Sequence, residues 1–221
     1  MPIEPMLFTA LAVLVSAVGL AQAPLNQKTR IVAMGDSTTA GTPGWKSPIE
    51  APPNGRGDYE SQYSYWLMDS HPQWEVLNRG VNRERSDQIR ARFERDVIEA
   101  KPKAVVIIGG VNDVYQGRPV AHVIGQLHAM YERAAAAGIR VVGGSIIPYD
   151  TATPDQNARM HEINEWIRKQ PGITFVDTRA SVGAPGDPDK LFDSPDGLHP
   201  TAAGYRRMAQ AIGPVLEDIL R

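Results

Sequence analysis

The chain contains no cysteine. That excludes disulfides, a thiol nucleophile, thiolate metal ligands and a lipidated cysteine anchor. It also lacks a long apolar run. The most apolar stretch, LFTALAVLVSAVGL at 7–20, has fourteen residues, short of the ~20 that a membrane-spanning helix needs. Charge of one sign is missing too. Residues 1–23 carry only Glu4, so the remainder holds 23 basic against 24 acidic groups, a net of −1. Such a balance leaves no electrostatic footprint for a nucleic-acid partner. Finally, GDSTTAG at 35–41 lacks the Gly-Lys-Ser/Thr ending of a phosphate-binding P-loop.

What is present reads as one globular unit. A length of 221 residues suits one domain with a sizeable core. The apolar fraction of 42% and charged fraction of 22% are those of a soluble protein. The 7–20 stretch is followed by AQA, which predicts a signal peptide over 1–23 with cleavage near 21–23. The expected location is therefore secreted or periplasmic, without a stable membrane anchor. Glu4 stands where a basic residue is usual, an objection that disappears if Met6 is the true start. Residues 28–221 are expected to form a single domain.

From Arg30 onward apolar, partly β-branched runs alternate with helical segments. The runs are 30–34, 75–78, 104–109, 139–147 and 173–177. The helices are predicted over roughly 61–70, 86–100, 120–137, 155–170 and 202–220, with Ser86 and Thr201 as N-caps. Gly138 and Pro171-Gly172 read as helix stops. Short continuous apolar strands between helices predict a parallel sheet of about five strands covered on both faces, a three-layer α/β/α sandwich. Ligands of open α/β sheets bind at the carboxyl ends of the strands, so the residues just after each strand carry the information.

Those positions hold Gly35-Asp36-Ser37 after the first strand and Asn78 and Gly80 after the second. GGVND, with Asn112 and Asp113, follows the third, and DSPDGLHP, with Asp196 and His199, comes near the end. Each motif alone is weak. Together they provide what acyl transfer requires: a hydroxyl, an imidazole to take its proton, and a carboxylate to hold the imidazole. The Asp-x-x-His spacing lets the carboxylate reach Nδ1 and leaves Nε2 for the serine. The N–H groups of Ser37 and Gly80 and the Asn112 amide can supply oxyanion donors. Asp36 and Asp113 have no task in this scheme and are expected to cap or orient their loops.

These four blocks resemble the SGNH hydrolases, also called the GDSL esterase/lipase family. The GDS serine at Ser37, the glycine at Gly80, GxND with Asn112, and DxxH with Asp196 and His199 occur in the family's order over 31–200. The resemblance implies a flavodoxin-like sandwich and hydrolysis of esters or thioesters without metal or cofactor. One departure is Thr38, where the family usually has Leu or Ile.

Between Ala40 and the next helix, GTPGWKSPIEAPPNGRGDYES holds four prolines and four glycines. A loop this long is commonly functional, and it leaves the nucleophile's own strand end. Trp45 and Tyr59 can stack on a sugar ring or pin the loop to the body, and pinning is the favoured role. A polar loop of this kind suits a short acyl group on a carbohydrate or another small alcohol. Lysophospholipase, thioesterase and acyltransferase activities on the same residues are alternatives. The stretch 78–95 carries six arginines among acidic residues, expected as a solvated helix face. Arg79 and Arg83, which flank Gly80, can also touch an anionic substrate. His122 and His128 do not share a helix face, and HEIN at 161 lacks the second His of a zincin, so no metal site is expected. Two readings of other classes remain: a non-catalytic sugar-binding protein of this fold, and a phospho-acceptor receiver domain. The first would have lost a triad member. The second needs a Lys after strand five, where this chain has Arg179.

Overall fold

The computed structural model describes residues 28–221; the expected signal peptide lies outside the described residues. Strand β1 (Thr29–Gly35) runs straight into the four-residue helix α1 (Ser37–Ala40). The loop beyond it contains two two-residue strands, β2 (Trp45–Lys46) and β3 (Arg56–Gly57), paired antiparallel. Helix α2 (Tyr63–Ser70), strand β4 (Trp74–Gly80) and helix α3 (Ser86–Ala91) follow. Next come β5 (Ala104–Ile108), α4 (Val111–Tyr115), α5 (Val120–Ala136) and β6 (Arg140–Gly144). The chain ends with α6 (Pro154–Arg168), β7 (Thr174–Val176), α7 (Thr178–Val182), the short pair β8 (Gly183–Ala184) and β9 (Asp187–Leu191), and α8 (Ala202–Leu220).

The five main strands form one parallel sheet in the order β4-β1-β5-β6-β7. Counted along the chain that order is 2-1-3-4-5, the flavodoxin-like arrangement. Period-two alternation sends successive strand residues into two separate cores. Val32, Met34, Val105 and Ile107 pack with Val123, Leu127 and Met130 of α5 and with Met160, Ile163 and Ile167 of α6. Ile31, Ala33, Val106 and Ile108 face the other side, against Leu67 of α2 and Tyr205, Met208, Ile212 and Leu216 of α8. Strands buried on both faces need a continuous apolar run, which is what the sequence provides there.

Three expectations are corrected. The helix expected over 86–100 is a regular α-helix only to Ala91 and continues as a π-helical stretch at Glu94–Ile98, closed by Glu99 N–H donating to the Glu94 carbonyl at 3.0 Å. Ser86 is not its N-cap. That place belongs to Arg85, whose N–H donates to Gln88 Oε1 at 3.1 Å, because the Ser86 hydroxyl is spent on Asp113. The strand expected over 139–147 stops at Gly144, since the N–H and carbonyl of Ile146 bond the Asn164 side chain instead of a ladder partner. Thr201 caps α8 as expected, accepting from Gly204 N–H.

Candidate active site

β1 is the strand at which the order of connection reverses, between β4 and β5. A crevice opens at such a switch point, beyond the carboxyl ends of the strands. Ser37 stands there as the first residue of α1. Asp36 caps that helix, its Oδ1 accepting from Thr38 N–H at 3.0 Å, while Gly41 closes it in the left-handed region at φ 103°. A left-handed residue at this point favours glycine because other side chains are strained there. As the first residue of this helix, Ser37 has an N–H with no acceptor inside its own turn. Ser37 is 4% exposed, and its hydroxyl makes no hydrogen bond among the described residues.

Asp36 is sealed in behind the serine. Burial pushes its carboxyl up to about 7, opposed by the hydrogen bond from Thr38, and Oδ2 has no partner. The expectation that this residue orients its loop holds. So does that for Asp113, which accepts from both the N–H (2.7 Å) and the hydroxyl (2.8 Å) of Ser86.

The loop before α8 presents the other half. His199 Nδ1 and Asp196 Oδ2 are 2.7 Å apart, and Asp196 Oδ1 also accepts from His199 N–H at 2.8 Å and Leu198 N–H at 3.0 Å. Burial alone would raise Asp196. The hydrogen bonds from His199 and Leu198 outweigh it and hold the carboxyl below the usual carboxylate range. Ser194 Oγ donates to the His199 carbonyl at 2.7 Å and fixes the backbone. His199 is 5% exposed, and its Nε2 is buried without a partner. No hydrogen bond joins Nε2 to Ser37 Oγ in this structure. Burial raises the Tyr205 phenol, and the Asp36 and Asp196 carboxylates add to that shift. The same hydroxyl donates to the Thr42 carbonyl at 2.9 Å, tying α8 to the loop after α1.

The oxyanion donors fall unevenly. The Asn112 amide donates to the Glu84 carbonyl at 2.9 Å, which leaves its second hydrogen open. Gly80 N–H donates to Asn78 Oδ1 at 3.0 Å, and its carbonyl accepts from Ser47 Oγ at 2.6 Å. A Cβ on Gly80 would run into the backbone of Thr39 and Ala40. Glycine is thus required here by the packing of β4 on α1. Sequence reasoning gave no donor role to the backbone of Arg83. That residue adopts φ 67° in the left-handed region and its N–H has no acceptor among the described residues. It precedes the Glu84 carbonyl that holds Asn112. Arginine carries no signal for such a backbone, which is why the sequence concealed it.

Of the loop aromatics, Trp45 is 3% exposed and lies under Tyr59, their rings 4.6 Å apart. Trp45 pins the loop, while Tyr59 is 59% exposed. Arg79 is half-buried with Nε lacking an acceptor. The solvated face expected for the arginine-rich stretch is corrected at Arg92, 8% exposed, whose guanidinium binds Glu84, Asp96 and the carbonyls of Gly35 and Arg79. Asp87, Asp113 and His122 bring potential metal-ligand atoms within 4.8 Å of one another. Asp113 is committed to Ser86, however, and Asp87 to Arg85. No helix among the described residues is long and apolar enough to cross a membrane.

The profile of the GDSL-like Lipase/Acylhydrolase family matches residues 33–207. Among solved structures, a protein of the G-D-S-L family from Desulfitobacterium hafniense is 26% identical with a TM-score of 0.71, over 86% of this chain and all of its own. A GDSL-like lipase from Bacteroides thetaiotaomicron is 25% identical with a TM-score of 0.69, over 86% of this chain and 88% of its own. An acetylxylan esterase from Geobacillus stearothermophilus shares the fold at 20% identity and a TM-score of 0.65, over 88% of this chain and 96% of its own. No curated protein sequence matches the chain. A serine at the switch point of a 2-1-3-4-5 sheet and a family match across most of the sequence lead to one assignment: the chain belongs to the GDSL-like lipase/acylhydrolase family and is a carboxylic ester hydrolase.

Proposed function

We propose that Ser37, His199 and Asp196 act as nucleophile, general base and orienting carboxylate in hydrolysis through an acyl-serine intermediate. One observation carries the reading. The His199 imidazole is held through Nδ1 by a carboxylate of lowered pKa, and its Nε2 is left buried and unpartnered. Such a nitrogen requires a proton to accept, and the unpaired Ser37 hydroxyl is the candidate donor. In free enzymes catalytic hydrogen bonds are often open and close when substrate binds.

Ser37 Oγ attacks the ester carbonyl as His199 Nε2 removes its proton. Negative charge gathers on the former carbonyl oxygen, opposite Ser37 N–H and the open hydrogen of Asn112. Gly80 N–H, the third expected donor, is engaged by Asn78 Oδ1 in this structure. His199 then gives its proton to the leaving alcohol. Water attacks the acyl-serine by the same route, and the acid departs.

The substrate we infer carries a short acyl group on a carbohydrate or small alcohol. The space beside the serine's helix, lined by Asp36, Thr38, Ile108, Val111, Ile146 and Ile147, is packed too tightly to admit a water molecule. A long acyl chain would need a channel there or an apolar groove above it, and the loop above is rich in Pro and Gly. Export, which the 7–20 stretch and its AQA ending support, suits a substrate met outside the cytoplasm.

A panel of p-nitrophenyl esters from acetate to palmitate, with Ser37→Ala as control, tests this. The expected result is highest kcat/KM at two to four acyl carbons, abolished in the variant. Activity surviving Ser37→Ala would falsify the triad. A preference for palmitate overturns the short-acyl reading alone.

A further inference from the structure

Beyond the catalytic crevice, the surface between α2 and α8 holds a set of groups that the hydrolytic scheme does not use. Tyr59 rests on buried Trp45, and from it a row of aromatic rings continues along α2. Tyr59 and Tyr65 have centroids 6.3 Å apart, and Tyr65 meets Trp66 edge-on at 5.2 Å. The Arg206 guanidinium lies over Trp66 at 5.0 Å. The row starts on the loop that leaves Ser37's own helix and ends at a cavity of about 270 Å³. Trp66, Asp69, Arg206, Gln210 and Gly213 line that cavity.

Three features of this strip point to one ligand chemistry. First, it is preorganised: Trp66 Nε1 donates to the Glu60 carbonyl at 2.8 Å, so the indole is held at one angle. Second, its hydrogen-bonding groups are open. Asp69 and Gln210 have no internal partner among the described residues, and Arg206 is engaged only through the Trp66 ring. Third, the row itself is aromatic (Tyr59, Tyr65 and Trp66), and Ala209, Gly213 and Pro214 supply the aliphatic part of the cavity. A pyranose ring presents an apolar face of C–H groups and an edge of hydroxyls. Flat rings bind the first, while carboxylate, guanidinium and amide groups bind the second. An acyl chain would instead require an aliphatic groove. A stable protein partner would need about 800 Å² from this side, far more than one short aromatic row offers.

We propose that this strip, from Tyr59 to the Trp66–Arg206 cavity, is a binding site for a neutral oligosaccharide chain that continues away from the catalytic serine. The site stands on its own geometry. Its use in catalysis, as a handle for a glycan that bears the scissile ester, rests on the esterase reading above. Binding energy gained there would lower KM for polymeric substrates without touching the reacting carbonyl.

The test uses the full chain with three probes, xylohexaose, cellohexaose and chitohexaose, followed by tryptophan fluorescence and calorimetry. Saturable binding of at least one is expected, weakened about tenfold by Trp66→Ala and severalfold by Arg206→Gln, in line with the loss of one aromatic contact. Arg206 is exposed, so its variant keeps the test valid should Trp66→Ala fail to fold. In turnover, the ratio of kcat/KM for the acetylated hexasaccharide to that for p-nitrophenyl acetate is expected to fall about tenfold in the same variants. Should no hexasaccharide bind while p-nitrophenyl acetate is hydrolysed, the inference fails and the esterase reading survives. Binding without hydrolysis of any ester does the reverse. A variant that lowers both rates in proportion marks Trp66 as merely structural and also overturns the inference.

Discussion

The Arg92 guanidinium donates to the carbonyl of Gly35 at 2.8 Å, two residues before Ser37. The same side chain binds the Arg79 carbonyl at the end of β4 (2.7 Å), Glu84 (2.6 Å) and Asp96 (2.8 Å). One cation therefore clasps the carboxyl ends of two neighbouring strands and the start of the loop that carries Asn112's acceptor. Replacing it by methionine leaves the buried end of Glu84 without a donor and removes a bond from the Arg79 carbonyl, while Asp96 keeps Arg95 and the Gly35 carbonyl keeps Val81 N–H. The expected cost is about 3–5 kcal/mol in urea unfolding, by analogy with broken buried ion pairs. Arg92→Lys is expected to recover only part of this, since a point charge cannot serve four acceptors at once.

Asp36 gives stability a distinctive pH dependence. Its carboxyl is raised by burial to about 7 in the folded chain, against an ordinary 3.8. The folded state therefore holds this proton more tightly than the unfolded one. The contribution is complete below about pH 4 and is lost as pH rises toward and through 7. Asp36→Asn keeps the acceptor for Thr38 N–H and cannot ionise. The difference in unfolding free energy, variant minus parent, is expected to grow between pH 4 and 7, measured by urea titration at several pH values. A difference independent of pH contradicts the burial argument.

Asp196→Asn retains an oxygen for the N–H groups of Leu198 and His199 but removes the negative charge from Nδ1. The loop should persist, with kcat reduced by about 10⁴-fold, as when a triad carboxylate becomes an amide. Circular dichroism unchanged beside intact turnover would dismiss the orienting role.

Asn112→Ala removes an oxyanion donor and the tie to the Glu84 carbonyl. A fall of about 10²–10³-fold in kcat is expected, with a smaller change in KM because the interaction strengthens only as charge develops. Near-normal turnover would exclude the amide from the oxyanion site.

Gly80→Ala probes packing instead of chemistry. Its Cβ would collide with main-chain atoms of Thr39 and Ala40, which cannot rotate away as a side chain can. Loss of both stability and activity is expected, readable as a lowered thermal midpoint.

The five strands and their long helices were legible because each is a local pattern. Ile31 to Met34 and Ala104 to Ile108 are continuous apolar runs, and Leu127, Met130, Tyr131 and Ala134 recur at helical spacing. Asp196 and His199 were legible as a pair because they stand only three positions apart. Arg92 was not, since nothing in 78–95 marks one arginine of six as facing inward. Its burial depends on carbonyls of β1 and β4 that come together only in the sheet. The strands β2 and β3 were hidden by their length of two residues each, too short to show alternation. The engagement of Gly80 N–H by Asn78, and the left-handed backbone at Arg83, are likewise facts of three dimensions.

Placing β1 at the switch point has a temporal consequence. The serine emerges early in synthesis, yet the imidazole assigned to it is carried some 160 residues later, on the loop that precedes the final helix. Until that last segment docks, the hydroxyl has no base at hand. On the proposed assignment, nascent or C-terminally clipped chains are inert toward esters, and reactivity arrives only with completion of the fold.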